Sequence, residues 1–212
     1  MGGPDGILTV DSDDPEHVRA AASLHQALLG ESPIPGLGWM FMTRFYYTQL
    51  VKDELIRCYL YRLDGEYVGF LAVTDQPLSF MGEGVRRHYV RLALILALSL
   101  CQKPSRARIM FATSAASRRR ATTEGTDRLG EILSIGVLEA FRGQRVDPGG
   151  KRISAALLDA GIRYLSDRGC RRIELNVDQD NVRAIRFYQS YGFVLERSPL
   201  ALPHDWRGRL VL

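Results

Sequence analysis

The stretch NVRAIRFYQSYGF, residues 181–193, sets an asparagine, an alanine and an adjacent Phe-Tyr pair at fixed intervals before a Gly-Phe stop. Asn181 is a helix-capping type. Ala184 leaves room for something to lie close to the helix. Phe187 and Tyr188 adjoin, so they cannot both face one core. A tyrosine here is either a core ring whose hydroxyl finds a partner or a phenol, reference pKa ~10, that hands a proton to a leaving group. A second stretch, FRGQRVDPGGKRISAALL at 141–158, runs from a turn at Arg142, Gly143 and Gln144 to a helix opening at Arg152, Ile153 and Ser154. A helix N-terminus presents unpaired N–H groups and about half a positive charge, a setting for a pyrophosphate. Each stretch alone suits an ordinary α/β turn; the two in this order are a stronger signal.

The elements that hold them follow from periodicity. EILSIGV (131–137) reads as a strand, and the helix after the loop runs to about 168, with Ile153, Ala156, Leu157, Ala160, Tyr164 and Leu165 on one face and Gly169 as its stop. RIELNV (172–177) is the next strand, followed by the helix from Asn181 to Gly192 and strands near 193–195 and 209–212. That alternation calls for a right-handed crossover and a parallel strand pair. Upstream come a strand at 7–10, a helix at 15–29 opened by an Asp-rich cap and Pro15, an aromatic helix at 39–51, and a hairpin of 56–62 with 67–74 around Asp64-Gly65. Residues 75–128 form an insert with a helix at 86–101, apolar on nearly every side from Leu92 onward, and a basic, Ser/Thr-rich loop. The fold class is α/β (α+β), one domain over 1–212.

Composition narrows the partners. The chain has 212 residues, 46% of them hydrophobic, enough for one real core, and a net charge of +4 carried almost wholly by arginine. Acidic residues are interspersed and no basic stripe alternates with aromatics, so an anionic ligand is expected and nucleic acid is not. Arg118, Arg119 and Arg120 read as a solvated loop. Cys58, Cys101 and Cys170 are odd in number and far apart, which suggests neither disulfides nor a metal site and fits a cytoplasmic location. The N-terminus carries no export-signal pattern. The apolar run 92–101 is short of the ~20 residues a spanning helix needs. It leaves core, homodimer interface and peripheral membrane contact as alternatives.

On EILSIGV, FRGQ, RISAALL, RIELNV and NVRAIRFYQSYGF, residues 131–193, the sequence resembles the GCN5-related N-acetyltransferase (GNAT) superfamily; the first half matches in element order only. The resemblance implies a mixed central sheet whose parallel pair is splayed, helices on both faces, a helical insert before the fourth strand, and acetyl-CoA in the splay. It further implies that the backbone of Ile135, Gly136 and Val137 pairs with the pantetheine arm. Arg142, Gly143 and Gln144 with the amides of Arg152, Ile153 and Ser154 would hold the pyrophosphate, while Asn181, Ala184 and Phe187 line the pantetheine end. Tyr188 stands where the family has its general acid. Glu131 stands where some members have a basic glutamate; with a reference pKa of ~4.3 it needs burial or a relaying water, and an arginine-paired glutamate is the equal alternative. By strand alternation Glu131 should share a face with Leu133, Ile135 and Val137. His88 and His204 are further base candidates, not promoted.

The loop departs from the family pattern. Removing 145–151 (RVDPGGK) joins FRGQ to RISAALL and puts Arg152 and Ser154 where two glycines are usual. The opposing alignment makes Gly149 and Gly150 the functional glycines, with Lys151 and Arg152 reaching phosphates. Asp147-Pro148-Gly149-Gly150 has turn chemistry of its own, which favours an excursion. The expected activity is acetyl-CoA-dependent N-acetylation of a primary amine, an amino sugar or other small molecule. The alternatives are a catalytically silent acyl-CoA-binding module and an acyltransferase acting on a protein or a lipid-linked amine.

Overall fold

The computed structural model describes residues 5–102, 128–146, 150–197 and 205–212. His204, Arg118–Arg120 and the turn at 147–149 lie outside them, as does the Cys101 side chain. Among the described residues, strands β1 (Gly6–Thr9), β2 (Arg57–Leu63), β3 (Glu66–Thr74), β4 (Leu129–Val137), β5 (Arg172–Asp178), β6 (Val194–Arg197) and β7 (Asp205–Val211) form one sheet. Their order is β1-β2-β3-β4-β5-β7-β6. Only β4 and β5 pair in parallel; every other neighbour is antiparallel. The β2–β3 hairpin turns on Asp64 and Gly65, with φ of 52° and 83°, the left-handed pair that a tight two-residue turn requires.

Helices cover both faces. On one lie α1 (Pro15–Leu29), the short α2 (Pro33–Gly36) and α3 (Trp39–Phe41), and a π-helix at Met42–Leu50. The sequence suggested a plain α-helix over 39–51. The wider π turn lets three consecutive rings, Phe45, Tyr46 and Tyr47, all reach full burial. On the other face α6 (Ile153–Asp167) and α7 (Val182–Ser190) pack with Leu71, Val73, Ile132 and Ile173 into a second core.

The insert helix expected at 86–101 is two helices, α4 (Phe80–Arg87) and α5 (Tyr89–Gln102). The break falls at His88, whose Nε2 lies 2.9 Å from the Asp53 carboxylate just past the π-helix, so this histidine is a structural tie. On α5, Leu92 and Ile95 are buried while Tyr89, Val90, Leu94 and Leu98 are exposed. The start and end of the insert are clasped together: the buried Asp75 carboxylate takes Arg168 Nε at 3.0 Å and Arg128 at 3.4 Å. No helix among the described residues is long and apolar enough to cross a membrane.

One strand detail corrects the sequence reading. The β3–β4 register shifts between Ala72 and Val73, so Ala72 faces Ser134 whereas Val73 faces Ile132. The extra residue is a bulge, and it inverts the alternation. Glu131 and Leu133 face α1, but Ile135 and Val137 join the α6 core. Glu131 therefore does not share their face.

Candidate active site

β4 and β5 are in register from Leu129 opposite Arg172 to Ile132 opposite Leu175. Pairing ends there, although the strands run on to Val137 and Asp178. The two part company at Ile132 and leave a gap walled on one side by 133–137. The Leu138 N–H donates to the Val68 carbonyl at 2.8 Å while Gly69 stands opposite Val137, which makes Gly69–Val137 a non-hydrogen-bonded pair. By alternation Leu71–Ile135 is another. The N–H and C=O of Ile135 and Val137 hence point away from β3 into the gap, and those of Gly136 point back toward Phe70. Arg142 Nε donates to the Val137 carbonyl at 3.0 Å, leaving a strand edge that an extended ligand can join.

The mouth of the gap is the loop after β4. Gly143, at φ +86°, permits the tight turn at Arg142–Gln144. Arg145 and Arg152 then form an antiparallel bridge, and the Val146 N–H donates to the Lys151 carbonyl at 3.0 Å. The excursion is pinched at its neck, so Gln144 is delivered beside Ile153, as the insertion alignment expects. Lys151 pairs with Asp159 on α6, and the space a Gly150 side chain would need is taken by the Arg145 side chain. α6 opens at Ile153, and its N-cap, Arg152, makes no side-chain cap bond; the first amides, including Ser154, are presented at the end of the gap.

α7 closes the other side. Asn181 Oδ1 accepts the Ala184 N–H at 3.1 Å, so this side chain is committed to its cap. Phe187 and Tyr188 divide as the sequence demands. Tyr188 is buried in the same core as Val137, Ile153 and Leu157, against which Ile135 packs, its ring 5.7 Å from Phe193, and Phe187 lies half-buried beside it. Burial pushes the Tyr188 phenol well above its ordinary pKa, so it stays protonated at any neutral pH.

Glu131 lies on the opposite face, 6% exposed, between Thr74 on β3 and Glu174 on β5. Its charge adds to burial in pushing the Tyr46 phenol upward. The two catalytic candidates thus stand on opposite sides of the sheet, with the opening between β4 and β5 passing from one to the other. A small groove of about 10 Å³ on the Glu131 side is lined by Glu131, Glu174, Asn176 and Arg207 with Pro77 and Leu78.

Two groups escaped the sequence reading. Glu174 and the arginines around it were seen only as strand residues, because their meeting depends on β7 pairing with β5 rather than with its sequence neighbour alone. The other is His25, buried to 1% exposure, with Nδ1 2.7 Å from the Tyr47 hydroxyl and Nε2 3.4 Å from Ser134 Oγ at the β4 bulge. Its signal was present: it continues the apolar α1 stripe of Val18, Ala21 and Ala22. Burial lowers its pKa from 6.5 to about 4, so the ring is neutral.

The splayed pair is accompanied by an independent match: the family described as Acetyltransferase (GNAT) family aligns with residues 23–193. The chain belongs to the GNAT family. The mycothiol acetyltransferase of Stackebrandtia nassauensis is 41% identical over 69 residues, 32% of this chain and 20% of that protein; the chain spans about a fifth of such a relative's length. Among solved structures, the GNAT domain of S. lividans PAT superposes with a TM-score of 0.56 at 15% identity, covering 97% of this chain and 89% of that chain. The PaiA N-acetyltransferase of Thermoplasma acidophilum in complex with coenzyme A gives 0.52 at 12% identity, with 97% and 99% covered. These two likenesses concern the fold.

Proposed function

We propose that this GNAT protein moves the acetyl group of acetyl-CoA to the primary amine of a small molecule, an amino sugar or another small amine. The observation that carries the reading is the β4–β5 gap, with a strand edge at Ile135 and Val137 and an uncapped helix N-terminus at its mouth. The bound co-substrate supplies a thioester that an amine can attack. The chain's part is positional and protonic. Ile135 N–H and C=O and Val137 N–H align an extended arm along β4. The turn at Arg142–Gln144 and the amides of Arg152, Ile153 and Ser154 hold the anionic end against the α6 dipole, and Ala184 and Phe187 close over the arm.

Since the anionic end lies past Val137 and the arm runs back along β4, the acyl end reaches Ser134 and Leu133, and the amine arrives beside Glu131. An amine with a pKa of ~10.4 is mostly protonated at neutral pH, and Glu131, directly or through a water, takes that proton. On the far side Tyr188 gives its hydroxyl proton to the departing thiolate. The burial that raises the phenol also raises the thiolate, so the transfer stays close to balanced. The cytoplasm is the proposed compartment, in keeping with the buried free thiols Cys58 and Cys170.

Free thiol released from acetyl-CoA against a panel of amines tests the reading, with Tyr188→Phe alongside. Turnover falls at least ~10²-fold in the variant while acetyl-CoA affinity stays within a few-fold. Cofactor binding without turnover on any amine would instead make the chain a silent acyl-CoA-binding module.

A further inference from the structure

Helix α5 is apolar on two sides, and the fold uses one of them. Leu92 and Ile95 are buried in the first core, and Leu96 packs beside them. At 3.6 residues per turn, Tyr89, Val90, Ala93, Leu94, Ala97 and Leu98 fall on the opposite half of the helix. All six are exposed, Tyr89 to 67% and Leu94 to 63%. A helix face left to water ordinarily carries charged and polar residues, whereas the polar side-chain groups of these six amount to the Tyr89 hydroxyl. The apolar surface also continues beyond α5. Trp39 opens α3, which packs against α5, and Val85 lies on α4; both are exposed.

The border of this surface is basic. Arg91, at the edge of the exposed arc, is itself exposed and forms no ion pair among the described residues. Arg86 on α4 is 77% exposed and stands 3.7 Å from Glu83, a carboxylate already engaged by Arg87. In the sequence, residues 76–127 hold nine basic and three acidic side chains, so the insert is strongly cationic and the rest of the chain, whose overall charge is +4, is net acidic. An apolar arc bordered by cations complements an anionic phospholipid bilayer, which has hydrocarbon beneath a layer of negative headgroups. A second copy of the chain fits less well. Half the surface of a 14-residue helix about 10 Å wide amounts to about 300 Å², against about 800 Å² per partner in a stable interface. A two-fold pairing would also set two cationic inserts face to face.

We propose that α5 is a peripheral docking surface for anionic phospholipid membranes, with Tyr89, Val90, Leu94 and Leu98 entering the boundary between headgroups and acyl chains and Arg86 and Arg91 meeting the headgroups. The Leu92 and Ile95 side of the helix stays in the protein core, so the chain lies on the bilayer and α5 does not cross it. The inference does not depend on the acetyl-transfer reading.

The test floats the full chain with vesicles of phosphatidylcholine alone and with vesicles of phosphatidylcholine and phosphatidylserine. The expected result is at least ~10-fold stronger partitioning onto the mixed vesicles, weakened by high salt. Leu94→Asp combined with Leu98→Asp abolishes flotation. Arg86→Gln combined with Arg91→Gln lowers partitioning onto the mixed vesicles by about tenfold and leaves the value for phosphatidylcholine nearly unchanged. All four side chains are exposed, and an unchanged urea midpoint confirms that each variant is folded. Four results overturn the inference: no flotation with either vesicle; equal partitioning onto both; flotation untouched by the paired Leu→Asp changes, which assigns binding to basic residues elsewhere; and, without flotation, a dimer in sedimentation that Leu94→Asp dissolves, which assigns the face to a second copy.

Discussion

Replacing His25 by glutamine probes the interior beneath β4 and gives a signed, sizeable expectation. The imidazole is enclosed by Tyr46, Tyr47 and Phe70 and holds Tyr47 and Ser134 through its two nitrogens. Its pKa is about 4 in the fold against 6.5 in the unfolded chain. Between those values the unfolded chain binds more protons, so stability falls as pH falls through the window, and none of this contribution is lost above pH ~6.5. At ~1.4 kcal/mol per pH unit, the full loss is about 3 kcal/mol, of which about 2 kcal/mol has gone by pH ~5. Glutamine can keep a hydrogen bond but does not titrate. Urea unfolding followed by tryptophan fluorescence, run on both proteins from pH 7.5 down to 4, isolates the effect because every other titrating group cancels in the difference. At neutral pH the variant should be less stable by about 1 kcal/mol for the disturbed hydrogen bonds. By pH ~4 the order should reverse. A constant offset across the range would refute a buried, neutral His25.

Other substitutions address separate parts of the account. Replacing Val146–Lys151 by an Asn-Gly turn should leave folding intact and acetyl-CoA affinity within about threefold by calorimetry, since the Arg145–Arg152 bridge already closes the excursion; a large loss would return the phosphate to that segment. Gly136→Val should destabilise by about 1–3 kcal/mol in denaturant, because a Cβ there would lie 2.8 Å from Leu28 Cδ1. Asp75→Ala removes the carboxylate that joins Arg128 to Arg168, and limited proteolysis should then cut the insert faster while the thiol-release rate per folded molecule changes less.

Much of this could be read from the chain because local chemistry and global fold agree where the motifs lie. The strand at β4, the helix after the pinched loop, the capped helix at Asn181 and the hairpin at Asp64-Gly65 each follow from short-range rules. Seven-strand order was less accessible, since β7 inserts between β5 and β6. The bulge opposite Ala72 and Val73 was invisible because Ile132, Leu133 and Ile135 are all apolar, so the residues around the slip offer no inside-outside contrast to locate it. That slip separates Glu131 from Ile135 and Val137. Three neighbouring aromatics at 45–47 concealed a π-helix for a similar reason: periodicity cannot be measured where every position is apolar. The guanidinium cluster at Glu174 comes from strands distant in sequence, and only pairing brings it together.

The central claim is that an acyl-CoA lies in the β4–β5 gap, paired to the β4 edge. Amide resonances of the labelled protein titrated with coenzyme A test it most directly. The account predicts the largest shifts and the strongest new exchange protection at the Ile135 and Val137 amides, with shifts at Ile153 and Ser154 and a much smaller response at Gly136, whose amide points toward β3. Binding that leaves Ile135 and Val137 unchanged, or that perturbs Gly136 as strongly, would contradict it.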